Sequence, residues 1–105
     1  MSEPFVRAKA PVCVVSLTYS APLEEIDAAM KRHIAWLTAA YDSDLVIASG
    51  RKVPRDGGVI VMRGNRDAVE ALVATDPFVA EGLATVEVTA FTASMVAPAL
   101  ADLLA

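Results

Sequence analysis

The hydrophobic pattern of this chain changes between the period of a strand and the period of a helix in a fixed order, which restricts the folds open to it. Four runs rich in β-branched residues are typical of strands, at residues 12–19, 45–50, 58–63 and 84–91. Two segments with apolar residues three and four positions apart are typical of helices, at residues 21–42 and 66–75. The sequence therefore predicts the order β-α-β-β-α-β, with a short helical turn before the last strand.

This order predicts an α+β fold of the ferredoxin-like type. Two right-handed β-α-β crossovers joined by a hairpin place both helices on one face of an antiparallel sheet. In the first strand one face carries Cys13, Val15, Leu17 and Tyr19, and the opposite face carries Val12, Val14, Ser16 and Thr18. This second face, called the open face below, is mixed in polarity and lies away from the helices. We therefore expect two copies of the chain to pair through it as a homodimer, or as part of a higher oligomer.

The ends of the helices can also be predicted from the sequence. Ser20 is a candidate N-cap of the first helix, with Pro22 in its first turn. The buried stripe of that helix is expected at Leu23, Ile26, Met30, Ile34, Leu37 and Tyr41. Residues 95–105 are expected to form a C-terminal helix with Pro98 near its start.

Length, charge and hydropathy exclude several classes of protein. The 105 residues favour one domain, and thirteen acidic against nine basic residues argue against a nucleic-acid binder. No apolar stretch reaches the roughly 18–20 residues that cross a membrane, and the N-terminal segment has no signal-peptide core. We therefore expect a cytoplasmic protein. The 55% hydrophobic content exceeds what a small globule easily buries, which favours self-association.

Few residues in the chain suit metal, redox or nucleotide chemistry. Cys13 is the only cysteine, which excludes an intramolecular disulfide and a multi-cysteine metal site, and its apolar neighbours predict a buried thiol. The chain has no glycine-rich phosphate loop. The single histidine, His33, has no carboxylate or cysteine partners at metal-ligand spacing. We therefore expect neither a metal nor a cofactor.

His33 and Asp76 are the residues best suited to acid–base chemistry. The spacing of His33 from Met30 and Leu37 places it beside the apolar stripe of the first helix. An unperturbed imidazole titrates at about pH 6.5, so His33 is either a general acid/base or a hydrogen-bonded core residue. Asp76 precedes Pro77, so it either caps the helical turn or faces His33 and orients the imidazole. The fold permits that contact, because both helices cover the same face of the sheet.

Several polar residues near the ends of the first two strands could contact a ligand. Arg51, Lys52 and Arg55 form a basic group in the hairpin loop, which suits a small anionic ligand or is simply a solvated hairpin tip. Tyr19 closes the first strand and could reach a pocket with its hydroxyl. Ser49 lacks the G-x-S-x-G context of a hydrolase nucleophile. It is instead taken as a candidate substrate contact with Arg51 and Tyr19.

Three segments of the chain together resemble one known family. They are HIAWL at 33–37, VIASGRKVPRDGGVIV at 46–61 and TDPFVAEGL at 75–83. In a β-α-β-β-α-β chain of this size, their order and spacing resemble the YciI-like, or YCII-related, family. The likeness covers residues 12–92. It leaves an N-terminal arm at 1–11 and a C-terminal helix or tail at 93–105 outside the family domain.

The resemblance implies a dimeric α+β barrel, an architecture shared with muconolactone isomerase. In the family, a histidine on the first helix and an aspartate before the final turn of the second form a proposed catalytic dyad, matched here by His33 and Asp76. Relatives include a dehydrochlorinase of chlorinated hydroxyhydroquinones, and most members have no established reaction. Many members carry Gly-Pro after the second strand, where this chain has Gly50 and Arg51. That difference makes Arg51 a candidate ligand contact.

Two functions of different classes fit these observations. One is a cofactor-free acid/base enzyme, of isomerase or dehydrochlorinase (lyase) type, acting on a small cyclic or aromatic metabolite. In it His33 is the acid/base, Asp76 orients His33, and Arg51, Ser49 and Tyr19 bind the substrate. The other is a non-catalytic dimer that binds a small ligand or serves in assembly. The distance between His33 and Asp76, and the presence of a cavity that reaches His33, discriminate between the two.

Overall fold

The computed structural model of the protein describes residues 3–104. Its strands are β1 (Val6–Tyr19), β2 (Val46–Arg51), β3 (Gly57–Arg63) and β4 (Ala84–Val96). Its helices are α1 (Leu23–Asp42), α2 (Arg66–Val73) and α3 (Pro77–Ala80), and a 3₁₀ turn follows at Pro98–Leu100. The predicted order of elements is confirmed. Among the described residues, no helix combines the length and the apolar character that crossing a membrane requires.

The four strands form one antiparallel sheet in the order β2-β3-β1-β4. β1 is central, and its Val15 lies opposite Ile60 of β3 and Val88 of β4. The face of β1 that carries Val15 is buried together with side chains of all three helices. Because the helices share one face of an antiparallel sheet, the predicted ferredoxin-like α+β fold class is confirmed.

Helix α1 begins after Pro22, not after Ser20. Pro22 has an extended backbone with ψ of 150°, and its carbonyl accepts the first helical hydrogen bond, from Ile26. The N-cap therefore has no side-chain hydrogen bond to the helix. The prediction that Ser20 caps α1 is wrong, because its hydroxyl instead donates to the carbonyl of Gly82 at 3.2 Å. Ser20 thus ties the start of α1 to the turn before β4.

The buried face of α1 is rotated slightly from the predicted stripe. Its buried residues are Ile26, Ala29, His33, Leu37 and Ala40. Three residues of the predicted stripe are exposed, namely Leu23, Ile34 and Tyr41. The two alanines allow this face to approach the sheet, because a methyl group needs less room than the larger side chains beside it. His33 consequently lies at the centre of the face that meets the sheet.

Strands β1 and β4 continue past their predicted ends at residues 12 and 91. The segment 6–11 of β1 pairs with residues 92–96 of β4. The prediction of a C-terminal helix is wrong, because the tail forms only the 3₁₀ turn and irregular turns up to residue 104. The tail is held by packing rather than by its own helix: Leu104 is buried with Ala10 and Val12 at one end of the open face.

The rest of the open face is not covered by any of the residues 3–104. Val14 and Ser16 are half-buried by their neighbours in the sheet, and Thr18 is exposed. Phe91 of β4, which lies opposite Val12, is 48% exposed. An aromatic ring and several aliphatic side chains therefore lie beside polar residues on a surface that the helices do not cover.

The contact between Gly57 and Leu17 requires glycine at the start of β3. A β-carbon at Gly57 would overlap the carbonyl oxygen of Leu17 in the neighbouring strand. Only a residue without a side chain lets the two backbones approach this closely. Since Leu17 and the following Gly58 both line the cavity described below, Gly57 helps to set the shape of its wall.

Arg66, at the start of α2, contacts the backbone of the edge strand β4. Its Nη1 donates to the carbonyl oxygen of Val88 at 2.7 Å. The same nitrogen lies 3.5 Å from the carboxylate of Glu70, one helical turn further along α2. One carbonyl in the middle of β4 is therefore occupied by a side chain of its own chain.

Candidate active site

Asp76 is positioned by the start of helix α3. It is the N-cap residue, Pro77 follows as the first helical residue, and one carboxylate oxygen, Oδ1, accepts the backbone N–H of Phe78 at 3.1 Å. Aspartate followed by proline suits this place, because the carboxylate satisfies a free N–H and proline already has the helical φ angle. The N-cap interpretation of Asp76 is therefore correct, and it fixes the direction of the carboxylate.

The same oxygen of Asp76 also contacts His33. Nδ1 of His33 lies 2.8 Å from Oδ1 of Asp76, although the two residues are 43 positions apart in sequence. Asp76 is fully buried and His33 is 8% exposed. The second oxygen, Oδ2, is buried and has no hydrogen-bond partner among the described residues. The two predicted residues thus form a buried pair. The carboxylate of Asp76 both caps helix α3 and contacts His33.

An aromatic ring packs against the imidazole of His33. The ring of Phe78 stacks on it with centroids 4.0 Å apart and planes at 8°. The ring of Tyr19 in turn lies edge-on to the ring of Phe78, with centroids 6.0 Å apart. The imidazole can therefore rotate little without displacing Phe78, so its orientation is fixed by packing as well as by Asp76.

A cavity of about 310 Å³ lies between α1 and the sheet and reaches His33. Its walls are mainly apolar, with Leu17, Leu37 and Ile60 among them. The predicted contact residues Tyr19, Ser49 and Arg51 line it together with His33, Ile34 and Phe78. Asp76 is not part of the lining and lies behind His33. Four of the five predicted site residues therefore border one cavity, and the fifth is bonded to one of them.

The polar groups of the cavity differ in how firmly they are held. The hydroxyl groups of Ser49 and Tyr41 are 2.8 Å apart, which ties β2 to the last turn of α1. Arg51 is exposed, and within residues 3–104 it makes no side-chain hydrogen bond or ion pair. A guanidinium without a partner at the mouth of an apolar cavity can bind an anionic ligand.

The other basic residues of the hairpin loop do not line this cavity. Nη2 of Arg55 donates to the carboxylate of Asp27 at 2.6 Å, and this hydrogen bond raises the pKa of Arg55. Nζ of Lys52 donates to the hydroxyl of Thr18 at 3.2 Å. Among the described residues, the basic group predicted in this loop therefore divides into Arg51, whose side chain has no such contact, and Lys52 and Arg55, whose side chains contact other residues of the protein.

Cys13 lies outside this site. It is fully buried in the core, and its Sγ donates to the carbonyl of Gly64 at 3.4 Å. Burial raises the pKa of the Cys13 thiol, so the neutral form is favoured at physiological pH. In residues 3–104 there is also no cluster of three His, Cys, Asp or Glu side chains able to hold a metal ion.

Two sets of residues near the pair were not predicted as part of the site. Phe78 stacks on His33, and its position directly after Asp76-Pro77 in the TDPF segment is the signal that could have indicated it. Trp36 donates from Nε1 to the hydroxyl of Thr75 at 2.9 Å. Its position three residues after His33 places it on the same side of α1, but spacing alone indicates only packing.

Most of the chain matches a described protein family. A family model described as the YCII-related domain matches residues 12–92. Among solved structures the chain is similar to SnoaB, described as a cofactor-independent oxygenase from Streptomyces nogalater. That likeness has a TM-score of 0.47 and 19% sequence identity, and it covers 87% of this chain and 99% of the other. The search of curated proteins gave no match.

Proposed function

The chain belongs to the YCII-related family, as its motifs predicted, and we propose that it is a cofactor-free acid/base enzyme. It transfers a proton on a small cyclic or aromatic metabolite, and the outcome is isomerisation or elimination. In this proposal His33 is the general acid and base and Asp76 orients it. Tyr19, Ser49 and Arg51 contact the substrate.

The hydrogen bond between His33 and Asp76 beside the cavity is the observation that carries this proposal. An ionised carboxylate only accepts hydrogen bonds, so the proton of a neutral His33 belongs on Nδ1. Nε2 then keeps a lone pair, and it is the ring nitrogen available to a molecule in the cavity. This is the tautomer that a general base requires.

The first step is the removal of a proton from a carbon of the substrate by Nε2 of His33. The electrons of the C–H bond form a new C=C bond, and negative charge moves onto the oxygen of the adjacent carbonyl, which becomes an enolate or, in a ring that gains aromaticity, a phenolate. The hydroxyl of Tyr19 and the guanidinium of Arg51 can donate hydrogen bonds to that oxygen. The imidazolium formed on His33 is stabilised by the carboxylate of Asp76.

The second step releases the product. In an isomerisation the N–H of Nε2 gives its proton to a different carbon, so that substrate and product have the same composition. In a dehydrochlorination the enolate re-forms the carbonyl, its C=C electrons form a double bond to the carbon that carries chlorine, and the chloride leaves with the electrons of the C–Cl bond. The proton passes from Nε2 to water, so that HCl is lost overall. Neither route requires an oxidant or a reductant.

Proton transfer in D₂O tests this proposal. The protein is incubated with hydroxyquinols, their chlorinated derivatives and cyclic lactones, and proton NMR follows loss of C–H signals while a chloride electrode follows elimination. We expect His33→Ala to reduce the rate by about 10²–10⁴-fold, because a general acid/base contributes that much. The matched control is Thr38→Val, on the exposed side of α1. A His33→Ala variant as fast as the control would refute the role of His33.

A non-catalytic ligand-binding dimer is the second candidate. It is favoured by the capping role of Asp76, since a carboxylate that caps α3 has a structural reason to be there without any chemistry. This alternative predicts that the wild-type protein binds members of the same panel but turns none of them over. Equal binding by wild type and His33→Ala would support it further.

We also propose that the chain self-associates through the open face. Val14, Phe91 and their neighbours form an uncovered surface of mixed polarity, which a second copy of the same sheet would match. The active-site cavity lies on the other side of the sheet, between the sheet and α1. Association through the open face would therefore leave the cavity of each copy accessible.

A further inference from the structure

One hydrogen bond between α1 and the turn that follows α2 lies next to the proposed catalytic pair without belonging to it. Nε1 of Trp36 donates to Oγ1 of Thr75 at 2.9 Å, and Oγ1 of Thr75 donates to the carbonyl of Leu72 at 2.6 Å. Because the hydroxyl hydrogen is committed to Leu72, a lone pair of Oγ1 is turned towards the indole. Thr75 thus links α1 to the last turn of α2.

Trp36 and Thr75 are each close in sequence to one member of the pair. Trp36 follows His33 by three residues, so both side chains leave α1 on the same side. Thr75 directly precedes Asp76. Two neighbouring hydrogen bonds therefore join the same two segments of backbone. The rings of Trp36 and His33 are also nearly parallel, with centroids 6.3 Å apart and planes at 20°.

The position of Asp76 relative to α1 depends on ties of this kind. Asp76 caps α3, which has only four residues, and a helix that short does not hold itself rigid. At the far end of α3, Arg32 makes an ion pair with Glu81, but these side chains are 55% and 44% exposed. Salt screens such a pair, whereas the bond between Trp36 and Thr75 is uncharged and lies beside Asp76.

We propose that Trp36 and Thr75 are positioning residues, forming a clamp that holds Nδ1 of His33 at bonding distance from Asp76. Their importance for turnover rests on the proposed function, but their effect on the pair does not. Loss of the clamp lets α3 move relative to α1, which lengthens the bond between His33 and Asp76. A misplacement of about 1 Å in a catalytic group reduces a rate by about a hundredfold.

The single histidine of the chain makes this inference measurable without any substrate. The proton on Nδ1 of His33 gives one imidazole signal in ¹H–¹⁵N NMR, and its exchange with water reports how firmly Asp76 holds it. Thr75→Val removes the acceptor at nearly constant volume, and Thr75→Ser restores it. Trp36→Phe removes the donor from the other side and serves if Thr75→Val does not fold. Thr38→Val is the matched control, because in the described part of the chain that hydroxyl donates a hydrogen bond only to Ile34 of its own helix.

We expect exchange of the His33 proton to become several-fold faster in Thr75→Val and in Trp36→Phe. It should stay at the wild-type rate in Thr75→Ser and Thr38→Val. A role of Thr75 in stability alone would lower the unfolding midpoint and leave this native-state signal unchanged. Unchanged exchange in both clamp variants, or an equal change in Thr38→Val, would overturn the proposal.

The same variants separate this inference from the proposed function. If the wild-type protein turns over no compound but exchange of the His33 proton still accelerates in Thr75→Val, the clamp is supported and the proposed reaction is refuted. If His33→Ala abolishes turnover while Thr75→Val leaves both proton exchange and the turnover rate unchanged, the proposed reaction is supported and the clamp is refuted.

Discussion

Asp76 accepts the hydrogen bond of His33 with the same oxygen that caps helix α3. The orientation of the imidazole and the start of a helix therefore depend on one atom. Because a cap requires only an acceptor, while stabilising an imidazolium requires negative charge, substitutions at Asp76 can separate the two roles.

Asp76→Asn should remove most of the activity and keep most of the stability. The amide oxygen can still accept the N–H of Phe78, but it carries no charge for the imidazolium, so we expect a rate loss of about 10²–10⁴-fold. Asp76→Ala also loses the cap, and its free energy of unfolding should be lower than that of Asp76→Asn by about 1 kcal/mol. Turnover and urea denaturation measure the two effects. An Asp76→Asn variant with wild-type turnover would contradict the role proposed for the charge.

Arg51→Gln should weaken the binding of small carboxylates. The free guanidinium at the mouth of the cavity attracts an anion, so the Kd of benzoate should rise by up to about fivefold at low salt. The difference should shrink as salt is added, because exposed charges are screened. Calorimetric titration with benzoate and with neutral benzamide measures it.

Lys52→Gln is the control for this prediction. It removes the same charge from the same loop, but Lys52 contacts Thr18 and does not line the cavity. Equal weakening of benzoate binding in both variants would indicate a general effect of charge instead of a contact with Arg51.

The free energy of unfolding should fall in mild alkali because of Cys13. Since the folded state raises the pKa of this thiol, the folded protein keeps the proton at a pH where the unfolded chain loses it. The contribution of the thiol is complete below the unfolded value of about 8.5 and is lost as the pH rises towards the folded value. Urea denaturation from pH 7 to pH 9.5 should show a decline that is smaller in Cys13→Ala. If the free energy of unfolding changed with pH equally in the wild type and in Cys13→Ala, this prediction would be wrong.

Gly57→Ala should be more destabilising than Gly82→Ala. At Gly82 the φ angle is +71° and a β-carbon would meet open space, so alanine adds only left-handed strain of about 1–2 kcal/mol. At Gly57 a β-carbon would overlap the backbone of Leu17, so two strands must separate. The denaturation midpoints of the two variants measure this difference. Equal shifts would show that β3 can move away from Leu17 at little cost in free energy.

Val14→Lys should convert the self-associated protein to a folded monomer. Val14 is on the open face between Val61 and Thr89, so a charge there opposes pairing with a second sheet and leaves the core intact. Thr38→Lys, on the exposed side of α1, is the control that should not change the mass. Light scattering at micromolar concentration gives the oligomeric state. A wild-type protein that is monomeric under these conditions would refute association through the open face.

The order of the elements could be predicted from the sequence because strand and helix periods differ strongly along this chain. The ends were harder to predict where tertiary contacts decide them. Ser20 has the side chain of an N-cap, but the extended backbone of Pro22 starts the helix two residues later. The tail has helical composition, yet burial of Leu104 on the sheet replaces a helix there.

The site could be predicted in part for similar reasons. The inward position of His33 follows from helical spacing, and the direction of Asp76 follows from its place before a proline. The buried face of α1 was predicted only approximately, because Ala29 and Ala40 lie on it and alanine is too weakly hydrophobic to mark a buried position. The contact between Trp36 and Thr75 also joins two distant segments, but neither residue type indicates acid–base chemistry and no motif of the sequence marks the two as partners.

The contact of Arg66 with the carbonyl of Val88 affects how copies of this chain can meet. An exposed edge strand is a template onto which a strand of another molecule can add, and such addition leads to open-ended stacking. Arg66 occupies an acceptor in the middle of β4 that an incoming strand would require. Growth of the sheet by edge addition is thereby opposed at this strand, whereas the proposed face-to-face pairing, which closes after two copies, does not use this edge.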